Sequence, residues 1–159
     1  MTNIILITIS ILLLFVFLVV LLIKPLARWV ELRVVKRGIE RFRIEREQLE
    51  ACFFDKASRL GKPRDLRWLT CDWQKDVTFA KDKDSGFLTA FVAVNISFEA
   101  VEGGDMEDVA AVGTIREAAA LFHYNNGHWG TGGRALFNMS PTDALLRLQE
   151  QFTPIGFSA

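Results

Sequence analysis

Phe87–Val101 reads FLTAFVAVNISFEAV, and this stretch decides the fold class. Strand formers dominate it, and its two faces separate at a period of two. Leu88, Ala90, Val92, Val94, Ile96 and Phe98 make one continuously apolar face. Phe87, Thr89, Phe91, Ala93, Asn95, Ser97 and Glu99 make the other, apolar at one end and polar at the other. A sheet packed on a core on one side and partly lining a groove on the other has this pattern.

Further strands flank it. Upstream, Asp65–Gln74 alternates Leu69, Cys71 and Trp73 on one face with Trp68 on the other. Val77–Lys81 continues that strand after a bulge at Lys75-Asp76, and Asp82–Gly86 is a turn by composition. Downstream, Glu102–Asp108 is an acidic loop without the alternating oxygen ligands, central Gly and closing Glu of an EF-hand. Val112–Tyr124 is the next strand, Asn125-Asn126-Gly127 a hairpin turn, and His128–Met139 the returning strand. Gly130, Gly132 and Gly133 predict a bulge or sharp bend in that return. Ser140-Pro141-Thr142-Asp143 spells a helix N-cap with Pro at N1, and the helix is expected to run through Phe152 and close at Pro154.

Ahead of the sheet lies a charged helical segment, residues 25–63. Its apolar positions Leu32, Val35, Ile39, Phe42, Leu49, Phe53 and Leu60 keep an a/d rhythm in which Arg46 and Lys56 fill the skipped slots. A short parallel coiled coil and a helix wrapped by the following sheet both satisfy this stripe, and sheet packing from about Ile39 onward is the expectation. Gly61 and Pro63 mark its stop. Pro25 marks either a bend or a fresh helix start.

Residues 4–23, IILITISILLLFVFLVVLLI, carry no charge, Pro or Gly. A helix of this length reaches roughly 30 Å, the thickness of a bilayer's hydrocarbon core. The sequence expectation is a retained transmembrane anchor over residues 1–24, with Ile4, Leu14 and Ile23 in the bilayer and Trp29 at the headgroups. A cleaved signal is disfavoured by the uncharged start, the length of the run and the lack of Ala-x-Ala after it. Lys24–Arg64 holds twelve Lys/Arg against six Asp/Glu, and Asp65–Ala159 holds seven against thirteen. The positive-inside rule then places the N-terminus outside and residues 64–159 in the cytoplasm of a single-pass cell-membrane protein. The two cysteines, Cys52 and Cys71, form no CxxC and fit free thiols in a reducing compartment, though a single disulfide stays open.

The expected architecture is α+β: a transmembrane helix, a helical stalk, a four-stranded antiparallel curled sheet and a C-terminal helix. Helix followed by curled sheet resembles the cystatin-like architecture and its NTF2-like group, and Phe122–Trp129 (FHYNNGHW) is similar to the aromatic–Asn/Asp-Gly–x-Trp hairpin common there. The resemblance covers about Ile39–Met139 and implies an assembly module, as in some membrane-tethered members. The chain is shorter than that family's usual fold, lacking its extra N-terminal helices. More broadly the chain resembles bacterial single-pass membrane proteins, a kinship that implies no function.

No nucleophile elbow, phosphate loop or paired-His metal spacing is present in the sequence, and no cofactor or metal is expected. The basic residues sit on the stalk and the domain is acidic, which argues against nucleic acid. The expected function is a membrane-anchored interaction or scaffolding domain, with the lipid bilayer and a protein partner or second copy as partners. The alternative is a small-molecule-binding or enzymatic domain whose pocket gathers Phe91, Asn95, Glu99, Glu117 and His123. Enzymatic activity stays open, with the sequence weighing against it.

Overall fold

The computed structural model describes residues 2–60 and 65–158; the side chains of residues 2–10, 16, 20–24, 27, 28, 110, 111, 157 and 158 lie outside the description. The Gly61/Pro63 helix stop therefore falls outside the described residues. The chain divides into two compact units, Met1–Ile39 and Glu40–Ala159.

α1 is one uninterrupted helix, Thr2–Leu60, and it passes through Pro25 without a break. In the first unit the Arg33 guanidinium lies over the Trp29 ring, 3.4 Å from its centroid, a cation–π contact. Among the described residues no helix is long and apolar enough to cross a membrane. The expected transmembrane helix, single-pass topology and cell-membrane location are corrected on this finding. Of the expected anchor landmarks, Leu14 and Trp29 are exposed apolar residues of α1, and the side chains of Ile4 and Ile23 lie outside the description.

The second unit is α+β. β1 (Leu66–Asp82), β2 (Leu88–Ala100), β3 (Arg116–Asn125), β4 (His128–Gly130), β5 (Ala135–Phe137) and β6 (Phe152–Ser158) form one six-stranded antiparallel sheet. Its order is β4-β3-β2-β1-β6, with β5 also pairing β3. A 3-10 turn (Ala110–Gly113) precedes β3, and α2 (Pro141–Arg147) connects β5 to β6. The four-stranded expectation is corrected on two points. The return strand breaks at Thr131–Arg134, so β4 and β5 occupy successive stretches of the β3 edge. The C-terminal helix stops at Arg147, and the chain then adds β6 to the β1 edge. Pro154 sits in that edge strand, where a missing N–H costs the ladder least.

Register assigns the faces. β1 shifts register between Trp68 and Thr70 and again between Trp73 and Val77. The second shift falls where the sequence suggested a bulge. The first places Leu69 out of phase, so Trp68, opposite Phe98, comes to the same side as Cys71 and Trp73. Trp68 is buried and Leu69 is exposed, the reverse of simple alternation.

The apolar face of β2 lies under α1. Phe42, Leu49, Phe53 and Ala57 are buried along the helix. Phe42 meets Trp129 at 4.9 Å, Phe79 at 5.6 Å and Phe122 at 5.7 Å between ring centroids. Phe53 meets Trp73 at 5.3 Å, Phe122 at 5.8 Å and Trp68 at 6.3 Å. All but the tilted Phe53–Phe122 pair are edge-to-face, a geometry that favours one packing over its alternatives. From Glu40 onward the helical stripe is thus sheet-packed.

Polar contacts fix where α1 lies on the sheet. Arg46 pairs with Glu50 at 2.6 Å and donates to the Gln74 carbonyl in the β1 bulge. Lys56 Nζ donates to the Thr131 carbonyl at 2.9 Å, in the break between β4 and β5. Thr131 Oγ1 donates to the Leu121 carbonyl at 2.7 Å and accepts from the Gly133 N–H at 3.0 Å. The two basic residues that interrupt the a/d stripe therefore anchor α1 to two irregular points of the sheet, the second β1 bulge and the β4–β5 break.

Candidate functional site

The opposite face of the sheet is covered over only part of its area. Ser140 caps α2 by accepting from the Asp143 N–H, and Asp143 returns the bond to the Ser140 N–H. That capping box starts the helix sharply at Pro141. α2 and β6 then bury a small apolar cluster of Ala80, Phe91, Ala119, Leu121, Ala144, Leu145 and Phe152. Phe91 and Phe152 meet edge-on at 5.2 Å.

The five residues expected to share a pocket all point to this face, because register pairs Asn95 with Glu117, Thr89 with His123 and Glu99 with Arg67. They do not come together. Phe91 is fully buried in the cluster beneath α2. Glu99 is bound by Arg67 at 3.2 Å, across the β1–β2 ladder. His123 lies beyond Phe91 and Leu121, with Nδ1 3.2 Å from the buried Thr89 hydroxyl. Burial pushes the His123 pKa down; Asp82 draws it back up and Arg134 pushes it further down. Asp82 is itself held below the usual carboxylate range, chiefly by the Ser85 N–H that it accepts at 2.8 Å. Glu117 and His123 lie six positions apart on β3, about 20 Å along the ladder. An acid/base pair of these two side chains is excluded by that distance.

Asn95 and Glu117 do form part of a cleft. It measures about 250 Å³ and is lined by Gln74, Asp76, Ala93, Asn95, Glu117, Met139, Ser140 and Pro141, among others. The cleft exists because two features coincide. The bulge carries Lys75-Asp76 out of the β1–β2 ladder, leaving Ala93 without an opposite residue. The cover from α2 begins only at Pro141, past the polar end of β2. The side chains of Asp76, Asn95 and Glu117 are held by no hydrogen bond or ion pair among the described residues. Among the described residues no group of three or more His, Cys, Asp or Glu is arranged to hold a metal ion.

Asp76, Met139 and Pro141 were not expected from the sequence as cleft residues. The bulge was legible at Lys75-Asp76, but the face to which it turns Asp76 depends on pairing with β2. Comparison with protein-family models, curated proteins and solved structures finds no match. The cystatin-like and NTF2-like resemblance thus rests on the helix–sheet order and the Phe122–Trp129 hairpin alone.

Proposed function

We propose that the second unit is a protein-interaction module, with a scaffolding rather than a chemical role. The observation that carries this reading is the apolar end of the sheet. Phe137 packs near Trp68 and Phe98 at 6.3 and 6.1 Å. At this same end Leu69, Val101, Ile115 and Phe137 are exposed, Ile115 to 65%. Register places them at one end of the sheet, around its rim: Phe137 pairs with Ala118 on the α1 face, and Ile115 is in phase with Glu117 on the other. An apolar patch at the rim of a filled core is a common mark of a docking surface. Meanwhile the α1 side of the sheet is filled by packed rings, which favours binding at the surface over chemistry inside.

The test is photo-crosslinking in cells from a benzoylphenylalanine at position 115 of the full chain, with two differently tagged copies co-expressed. An adduct between the tags identifies self-association, and a discrete adduct with another polypeptide identifies a partner. Leu69→Asp should abolish either adduct while leaving the unfolding temperature within a few degrees of the parent. No adduct, or an adduct indifferent to Leu69→Asp, refutes the reading. A second reading, a small-molecule site, is favoured by the cleft at Asn95 and Glu117.

A further inference from the structure

Two polar side chains are buried among the described residues, Thr89 and Thr131. Thr131 donates to the Leu121 carbonyl, a backbone acceptor that does not titrate. Thr89 is bonded instead to an ionisable ring, with its Oγ1 3.2 Å from His123 Nδ1. Register explains this partner. The row across the sheet runs Pro154, Ala80, Thr89, His123, Gly130, and the other three members have no polar side chain. Among the described residues the Thr89 hydroxyl makes no other hydrogen bond.

This pairing assigns the protons. A buried hydroxyl has one proton to place, and a ring nitrogen takes it only when unprotonated. Thr89 therefore donates to Nδ1, and the neutral ring carries its proton on Nε2. Protonation puts an N–H on Nδ1 as well, aimed at Thr89 Oγ1. The hydroxyl must then accept, and its own proton is left unpaired in a dry site. The half-buried ring relieves this by turning outward.

The charges around the ring set the direction. Asp82, at the end of β1, attracts the imidazolium, and Arg134, between β4 and β5, repels it. The other charged groups of the surrounding elements are engaged elsewhere or turned to water. β6 has none, Glu99 of β2 is held by Arg67 at the far end, and Asp143 and Arg147 of α2 act on each other. Lys83 and Asp84 of the β1–β2 turn are exposed, as is His128, which shares the face on β4. Asp82 stays ionised because its Oδ1 accepts from the Asp84 and Ser85 N–H groups at 2.9 and 2.8 Å. It also pairs with Phe152, the first residue of β6, and the Lys83 N–H donates to the Gln151 carbonyl at 2.9 Å. The turn that receives the charged ring is thus the turn to which β6 is attached.

We propose that His123 and Thr89 form a proton-operated latch at the edge of the α2–β6 cover. The neutral ring closes it on Thr89. The protonated ring opens it toward Asp82 and competes with the Asp84 and Ser85 N–H groups for that carboxylate, so the turn and the start of β6 loosen together. Phe152 meets Phe91 edge-on in the cluster beneath α2, so opening admits solvent to that cluster. The device is separate from the apolar end of the sheet and does not depend on the interaction reading.

The experiment is NMR of the nitrogen-15-labelled full chain. Histidine spectra at about pH 7.5 should show His123 as the Nε2–H tautomer. Thr89→Val removes the donor that holds the neutral ring and should raise the His123 midpoint, whereas Asp82→Asn removes the anion and should lower it. From about pH 7.5 to about pH 5, across the imidazole range, amide protection corrected for intrinsic exchange should fall several-fold at Lys83 and Phe152. It should stay level at Asn138, whose N–H donates to the Glu117 carbonyl at the other end of β3. His123→Gln leaves Thr89 a partner that does not titrate and should abolish the fall. The Nδ1–H tautomer overturns the proposal, and that measurement decides even where Thr89→Val fails to fold. A fall that persists in His123→Gln overturns it too, as does an equal fall at Asn138, which marks general unfolding, or a midpoint indifferent to both other substitutions.

Discussion

Replacing Gly133 by Ala tests the docking of α1 on the broken sheet edge. Gly133 sits between β4 and β5 at φ +72°. A Cβ added there would lie 2.7 Å from the Ala57 amide nitrogen and 3.0 Å from the Lys56 carbonyl carbon. Both atoms belong to the backbone of α1, so no rotamer change relieves the contact. Gly127, at φ +84° in the hairpin turn, is the matched control, because a Cβ there meets nothing within 4 Å. Gly127→Ala should cost the left-handed backbone alone, about 1–2 kcal/mol. Gly133→Ala should add an overpacking cost of about 1–3 kcal/mol. It should also disturb the Lys56–Thr131 bond, which is made by the side chain of the same Lys56. The assay is urea unfolding of the full chain followed by fluorescence of Trp68, Trp73 and Trp129, all in ring contact with the α1 aromatics. Expected is a lower midpoint for Gly133→Ala than for Gly127→Ala at equal slope. Equal midpoints would refute the claim that the helix backbone rests on the strand break.

Three further outcomes follow from the same structure. Phe53→Ala removes a fully buried ring in contact with three others and should cost about 3–5 kcal/mol in the same urea assay, a large share of a typical domain's stability. Cys52 is exposed, whereas burial pushes the Cys71 thiol up to about 12, so a maleimide at neutral pH should label Cys52 quickly and Cys71 only once the chain is unfolded. His123 has a folded pKa below its unfolded value of about 6.5, so the unfolded chain binds more protons there. Its contribution is therefore fully present above about pH 6.5 and is lost as pH falls through the lower folded value. His123→Gln should flatten that part of the stability profile, and a histidine NMR titration should place the His123 midpoint below about 6.5.

Periodicity in the sequence was enough to define the α+β class, because period-two and heptad patterns are local properties of the chain. Phe87–Val101 shows its faces at once, and all of Phe91, Asn95, Glu99, Glu117 and His123 do lie on one face of the sheet. What periodicity does not carry is distance along a face. Phe91, read as pocket wall, is instead part of a filled cluster under α2 and β6. β6 was invisible for a related reason: TPIG offers no alternation and a Pro, and it becomes a strand only because the β1 edge is there to receive it. Leu69 and Trp68 exchange roles through a bulge whose position is set by pairing with Phe98 and Ser97, not by residue type.

By itself, then, the sequence determined the elements whose signals are local: the strand at Phe87–Val101, the Asn126-Gly127 turn, the capping box at Ser140–Asp143 and the helical stripe through Phe42, Leu49 and Phe53. The tertiary structure alone decided which of these faces were filled and which were left open. The expected membrane-spanning anchor was corrected on the described helix, and the expected pocket separated into a buried ring, an ion pair, a histidine and a cleft. The reason is that burial depends on what the rest of the chain lays over a face. Here α2 begins at Pro141, late enough to leave Asn95, Glu117 and Asp76 around an open hollow.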